Sequence, residues 1–423
     1  MSYCQTITYP VLLTLLAFLV FTSETLVMAQ GTVQLIENDQ CIKCHTEQEM
    51  LPENYDKNDV HIQPGLSCAG CHGGDPTKND MDEAMNPAAG FVGVPVKKDI
   101  PDFCGKCHSN INFMREYQPR IPVDQEEQYY TSIHGQRLKK GDQKVADCTS
   151  CHTSHGILTA QDPRSTIYAL NIPATCNKCH GNADYMKDYN IPTNQYAEYV
   201  KGVHGIKLLE DRDTGSPACN DCHGNHGAMP PGISSISHVC GMCHVNNMQY
   251  FTSSAMGEAF AEQELHACEE CHGNHDIPYT SDDMVGVGKN STCINCHSEG
   301  DEGYKSASEI HKELTQTVAL YDSAEVERKA VRQIGMSDVE INFLLQDAHQ
   351  SLIEARTLVH TFDPKKVGQK TEESIEKSKS ALQLALQEIS NYDTRRRGFG
   401  IATIFITLLV VALFFKIREI ERK

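Results

Sequence analysis

The chain has 423 residues, with 19 cysteines, 20 histidines, no tryptophan and 7% aromatic residues. That composition is too poor in large apolar side chains to fill a core of this size without another hydrophobic body. The formal net charge of −19 excludes nucleic acid as a partner, because phosphate binding needs a basic face.

In chain order, the first element is an eleven-residue apolar run from Val11 to Phe21, followed by the small-residue site Val27-Met28-Ala29. The run is too short to span a bilayer, and the pattern predicts a secretory signal over residues 1–29 that carries Cys4 away with it.

Residues 30–303 are organised by cysteine. Every cysteine except Cys4 belongs to a C-x-x-C-H pentapeptide, and there are nine: Cys41/Cys44/His45, Cys68/Cys71/His72, Cys104/Cys107/His108, Cys148/Cys151/His152, Cys176/Cys179/His180, Cys219/Cys222/His223, Cys240/Cys243/His244, Cys268/Cys271/His272 and Cys293/Cys296/His297. This is the spacing of c-type haem attachment, in which both thiols add to the porphyrin and the adjacent histidine coordinates iron. An isolated copy would also suit a zinc knuckle or a thioredoxin-like redox pair. Nine copies, with no cysteine left over for a disulfide network, point to nine covalently bound c-type haems. Cys41 to His297 is 257 residues, so each haem has 257/9, or about 29, residues to wrap it. At that density the porphyrins are the core, and the expected protein is mainly α with extensive irregular loops.

Part of the array repeats. Tyr129-Tyr130-Thr131-Ser132-Ile133-His134-Gly135, Tyr199-Val200-Lys201-Gly202-Val203-His204-Gly205 and Phe251-Thr252-Ser253-Ser254-Ala255-Met256-Gly257 each precede two attachment sites. They define two-haem modules near 129–198, 199–249 and 250–297. The second axial ligands are sought among the eleven histidines outside the pentapeptides. His155, His226 and His275 lie three residues after a proximal histidine, and His134 and His204 share a repeat position. His238 and His266 sit two residues before an attachment cysteine, while His61 and His311 flank the array. Met256 stands where the other modules have histidine, and thioether is also a haem ligand; its alternative is a packed methionine whose haem is held by His311 or by a histidine of the following segment. Whether His349 or His360 ligates iron is left open.

Residues 304–397 read as a helical bundle. Gly335 ends one helix, Ser337-Asp338-Val339-Glu340 has the form of a capping box for the next, and a third starts near Thr371. Gly398 to Phe415 is an uncharged run of eighteen residues between Arg395-Arg396-Arg397 and Lys416, long enough for a single transmembrane anchor with a tail at 416–423. Haem attachment outside the cytoplasmic membrane places the bulk of the chain in the periplasm.

With its C-x-x-C-H array, Ser-x-His-Gly-like turns and C-x-x-C-H-Gly-Asn-His segments at 219–226 and 268–275, the chain resembles the membrane-anchored multihaem c-type cytochromes of anaerobic respiratory bacteria. It is distantly similar to the hydroxylamine oxidoreductase group. It lacks the C-x-x-C-K site of ammonia-forming nitrite reductases and a recognisable tyrosine cross-link segment. The resemblance implies electron relay between membrane quinol/quinone oxidoreductase subunits, of cytochrome b or iron–sulfur type, and periplasmic redox proteins, without catalysis by the chain itself. Two other readings stand beside it: an oxidoreductase acting on a small nitrogen or sulfur compound at one open haem, and a scaffold for a larger cytochrome assembly.

Overall fold

A computed structural model describes residues 39–230 and 236–422; the expected signal segment lies outside the described residues. Among the described residues the protein is helical and irregular, with no β-strand. It divides into two compact units. One comprises the chain to Pro231 together with His275–Ile277, and the other Gly232–Asn274 and Pro278–Lys423.

The first unit is a succession of short helices, six of them built around a pentapeptide. Cysteines three apart share a helix face, so one turn of helix presents both thiols, with the histidine a residue further on. Asp39 and Asp147 cap two of these turns, Asp39 accepting from the Cys41 amide at 2.8 Å and Asp147 from the Thr149 amide at 2.8 Å. The buried apolar side chains are few and scattered, among them Met114, Tyr129, Leu138, Tyr199 and Leu208. This agrees with a core left for cofactors to fill.

The second unit joins the last three pentapeptides to an up-down-up bundle of helices Glu302–Gln333, Val339–Leu358 and Pro364–Glu421. Two clusters lock the bundle. Ile310, Leu314, Leu352, Ala355 and Val367 pack at the end nearer the pentapeptides, and Ala324, Val331, Ile341, Leu345, Ala381 and Ala385 at the other. Each large side chain in these clusters contributes about 1.5–3 kcal/mol by leaving water. The alanines let the helix backbones approach, and the buried Ser374 hydroxyl donates across to the Ala348 carbonyl at 2.8 Å.

Gly335, at φ +76°, closes the first bundle helix. The anticipated capping box does not form: the second helix starts at Val339 with Asp338 at its N-cap and no side-chain cap bond. The Asp338 carboxylate is instead taken by Arg328 at 2.6 Å. The third helix begins earlier than its apolar spacing implied, at Pro364 behind the Asp363 cap, and continues unbroken for 58 residues through the arginine cluster. Its C-terminal stretch is exposed all round and is the one described segment long and apolar enough to cross a membrane.

Candidate haem-binding sites

A turn after the pentapeptide sets where the following histidine goes. Gly73, Thr153, Gly224 and Gly273, each next to a proximal histidine, all adopt positive φ, between 67° and 78°. This left-handed residue reverses the chain, so that a histidine three positions on leaves its own attachment site. The consequence is regular. His155 faces His72, His226 faces His152 and His275 faces His223, with ring centroids 6.2, 6.1 and 6.0 Å apart. Each such histidine therefore reaches back to the pentapeptide two places earlier in the chain.

Three further pairs have the same separation: His61 with His108 at 6.0 Å, His134 with His180 at 6.1 Å, and His272 with His360 at 6.2 Å. Two imidazoles on opposite sides of one iron, each with its nitrogen about 2 Å from the metal, have centroids roughly 6 Å apart. The six spacings therefore fit haem iron held between two histidines. Burial pushes His108, His134, His155, His180, His223, His226, His272 and His360 below the usual imidazole range, and His152 to about 4. They are thus neutral, as ligands must be.

Three proximal histidines stand outside these six pairs. His45 is half-buried, and among the described residues no second imidazole faces it as His155 faces His72. His244 is exposed and lies within electrostatic reach of His272 and His360. His297 Nδ1 lies 3.2 Å from the Asp301 carboxylate. The assignment of all three as iron ligands rests on the pentapeptide itself.

Several rings are also oriented through Nδ1, which leaves Nε2 for a metal. His72 Nδ1 donates to the Gly93 carbonyl at 2.7 Å, His360 to that of Thr357 at 3.0 Å and His311 to that of Asp282 at 3.1 Å. His61 donates to a carboxylate, that of Asp59, at 3.0 Å.

The three repeats share one backbone design. Ser132 Oγ accepts from the Gly135 amide at 2.9 Å, and Ser254 Oγ from the Gly257 amide at 3.0 Å. At Gly135, Gly205 and Gly257 an added Cβ would lie 2.1, 2.0 and 2.2 Å from the carbonyl oxygens of Tyr129, Tyr199 and Phe251. His134, His204 and Met256 are each the second residue of the helix that follows, so Met256 is placed as His134 is. His238 is exposed, and the His266 ring hydrogen-bonds Glu269. His349 is exposed on the bundle and packs on Tyr321, with centroids 5.7 Å apart. Between His349 and His360, spacing alone could not choose. The back-reaching rule could have: no later pentapeptide supplies a ligand for the His272 site, so the bundle must.

The attachment cysteines are neighbours in chain order. Cys104 and Cys148, Cys176 and Cys219, and Cys240 and Cys268 lie close enough to influence one another's thiols. Cys41 lies within electrostatic reach of Cys68, Cys71 of Cys104 and Cys107, Cys151 of Cys176 and Cys179, and Cys271 of Cys293 and Cys296. Desolvation by the surrounding chain pushes Cys41 up to about 12. In six of the nine pentapeptides the two thiols are not equally covered. The first cysteine is half-buried in all nine, whereas Cys44, Cys222 and Cys243, like Cys71, Cys151 and Cys296, are exposed. In so short a helix the second thiol lies a turn further along, beyond the packing that covers the first, and the polypeptide alone does not enclose it. None of these eighteen thiols forms a disulfide. Among the described residues no three His, Cys, Asp or Glu side chains converge as a zinc site requires.

Residues 60–181 match a family model described as cytochrome c3, a stretch that contains four of the pentapeptides. The match supports a multihaem c-type cytochrome carrying covalently bound haems and working in electron transfer. No curated protein and no solved structure matches the chain.

Proposed function

We propose that the protein is a membrane-anchored, nine-haem electron conduit, held by the apolar part of the Pro364–Glu421 helix with its bulk in the periplasm. It would relay electrons between a quinone-linked membrane complex and other redox proteins of anaerobic respiration. The observation that carries this reading is the set of six imidazole pairs spaced for one iron each. Bound haem supplies reversible one-electron chemistry at each pair.

The chain's own residues do the rest. Within each unit the pentapeptides fix one attachment point close to the next, so that bound haems would be near neighbours. At the six paired sites two histidines would hold each iron, which favours relay over catalysis on a small substrate. Asp59, Gly93 and Thr357 hold individual rings in the tautomer that directs Nε2 at the metal. By its repeat position Met256 would serve the site of His297, with His311 as the competing ligand. The roles of His204, His238 and His266 as ligands rest on sequence position.

Intact mass of the mature protein should give the polypeptide plus nine haem increments. The ferric protein should be low-spin and silent toward nitrite and hydroxylamine. A high-spin haem that binds and turns over either compound would replace the conduit with an oxidoreductase.

A further inference from the structure

We propose that the bundle is a rigid spacer holding the His272–His360 site roughly 50 Å from the bilayer, so that this site exchanges electrons with a water-exposed redox protein bearing a basic face and not with a quinone inside the membrane. The inference rests on the anchored-conduit reading and adds the class of partner. His360 sits in the short turn Val359–Thr361, immediately before the third bundle helix starts at Pro364. The apolar run begins at Gly398, at the other side of a continuous helix. The 34 residues from Pro364 to Arg397, at about 1.5 Å each, separate the two by about 50 Å, and the usual tilt of a spanning helix shortens this by only a few ångströms.

The spacer is braced at both ends. Val367 is locked with Ile310, Leu314 and Leu352, and Ala381 and Ala385 with Val331 and Ile341. Arg356 clamps the bundle to the loop beside the pentapeptides, donating to both carboxylate oxygens of Asp282 at 2.8 Å. Electron tunnelling decays exponentially with distance, and a gap of this length closes the direct route. Charge specifies the face the partner must carry. Residues 236–274 contain five glutamates and no lysine or arginine, and Glu258, Glu262, Glu264 and Glu270 are exposed. Such a surface steers a cationic protein toward this end.

Two measurements on the full-length haem-loaded protein test this. Nitroxides introduced as Lys366→Cys and Arg395→Cys, both exposed positions on the third helix, should lie about 44 Å apart in lipid vesicles; a distance below about 35 Å would mean a broken spacer and overturn the proposal. Separately, the protein is reduced in vesicles and offered either a long-chain quinone confined to the bilayer or a ferric basic monohaem cytochrome c in solution. The soluble cytochrome should oxidise it at a rate that falls more than tenfold as salt rises, while the bilayer quinone leaves it reduced. Oxidation by the bilayer quinone alone at a comparable rate, or a salt-independent rate with the cytochrome, would refute the inference. Failure of both oxidants, with the spacer at its expected length, would refute the conduit itself.

Discussion

Replacing Asp59 with asparagine isolates one electrostatic device. Asp59 is 6% exposed, and its Oδ1 accepts from both the backbone amide and ring Nδ1 of His61, at 2.8 and 3.0 Å. Its other oxygen accepts from the Ile157 amide at 2.8 Å. Burial pushes this carboxyl up, but the hydrogen bonds from the His61 ring and backbone and from Ile157 prevail and hold it below the usual range. It is therefore ionised at neutral pH. With a 3.0 Å hydrogen bond, an imidazole and a metal–nitrogen bond of about 2 Å in series, the charge stands roughly 7 Å from the iron between His61 and His108. At an effective dielectric near 20 that amounts to about 2 kcal/mol in favour of the ferric state, or roughly 100 mV for a one-electron couple. Asp59→Asn should raise one haem potential by up to this amount and leave the others unmoved, as read by spectropotentiometric titration with EPR to identify the low-spin signal that shifts. It should also cost about 1 kcal/mol of stability, since an amide cannot accept at both oxygens. Because the folded carboxyl has the lowered pKa, its stabilisation is present above the unfolded value of about 4 and is lost as pH falls through the folded one. A titration that superimposes on the parent, with haem content unchanged, would refute the charge argument.

His360→Ala should leave the His272 site five-coordinate, seen as one new high-spin haem that binds carbon monoxide when reduced, whereas His349→Ala should leave the spectrum untouched; the reverse outcome would exchange their roles. Met256→His should lower the potential of one haem and abolish a methionine-to-iron charge-transfer band in the oxidised spectrum. If neither changes, Met256 is packing and His311 ligates there. Thr153 is a β-branched residue at φ +67°, in the place that Gly224 and Gly273 occupy after their pentapeptides. Thr153→Gly should stabilise the first unit by up to about 1 kcal/mol, measured by denaturant unfolding, and a loss of stability would show that its hydroxyl bond to the His155 carbonyl, 2.9 Å long, outweighs the backbone strain.

The sequence by itself determined the covalent chemistry. C-x-x-C-H confines thiols and proximal histidine to one turn of helix, so those roles are local and need no tertiary information. The helical class and the apolar C-terminal run were legible for the same reason: periodicity and composition act over a few turns. The histidine three residues after a pentapeptide was also visible as a candidate, because a left-handed residue at Gly224 or Gly273 is a local event. Only the tertiary structure decided which site each candidate reaches, because facing histidines such as His61 and His108, or His272 and His360, are separated by long stretches of chain and meet only through packing. The same packing sets His226 opposite His152, 74 residues away in the chain. It likewise showed that Asp59 ties its neighbour His61 to the distant Ile157 amide, and that Asp338 binds Arg328 in place of a helix cap.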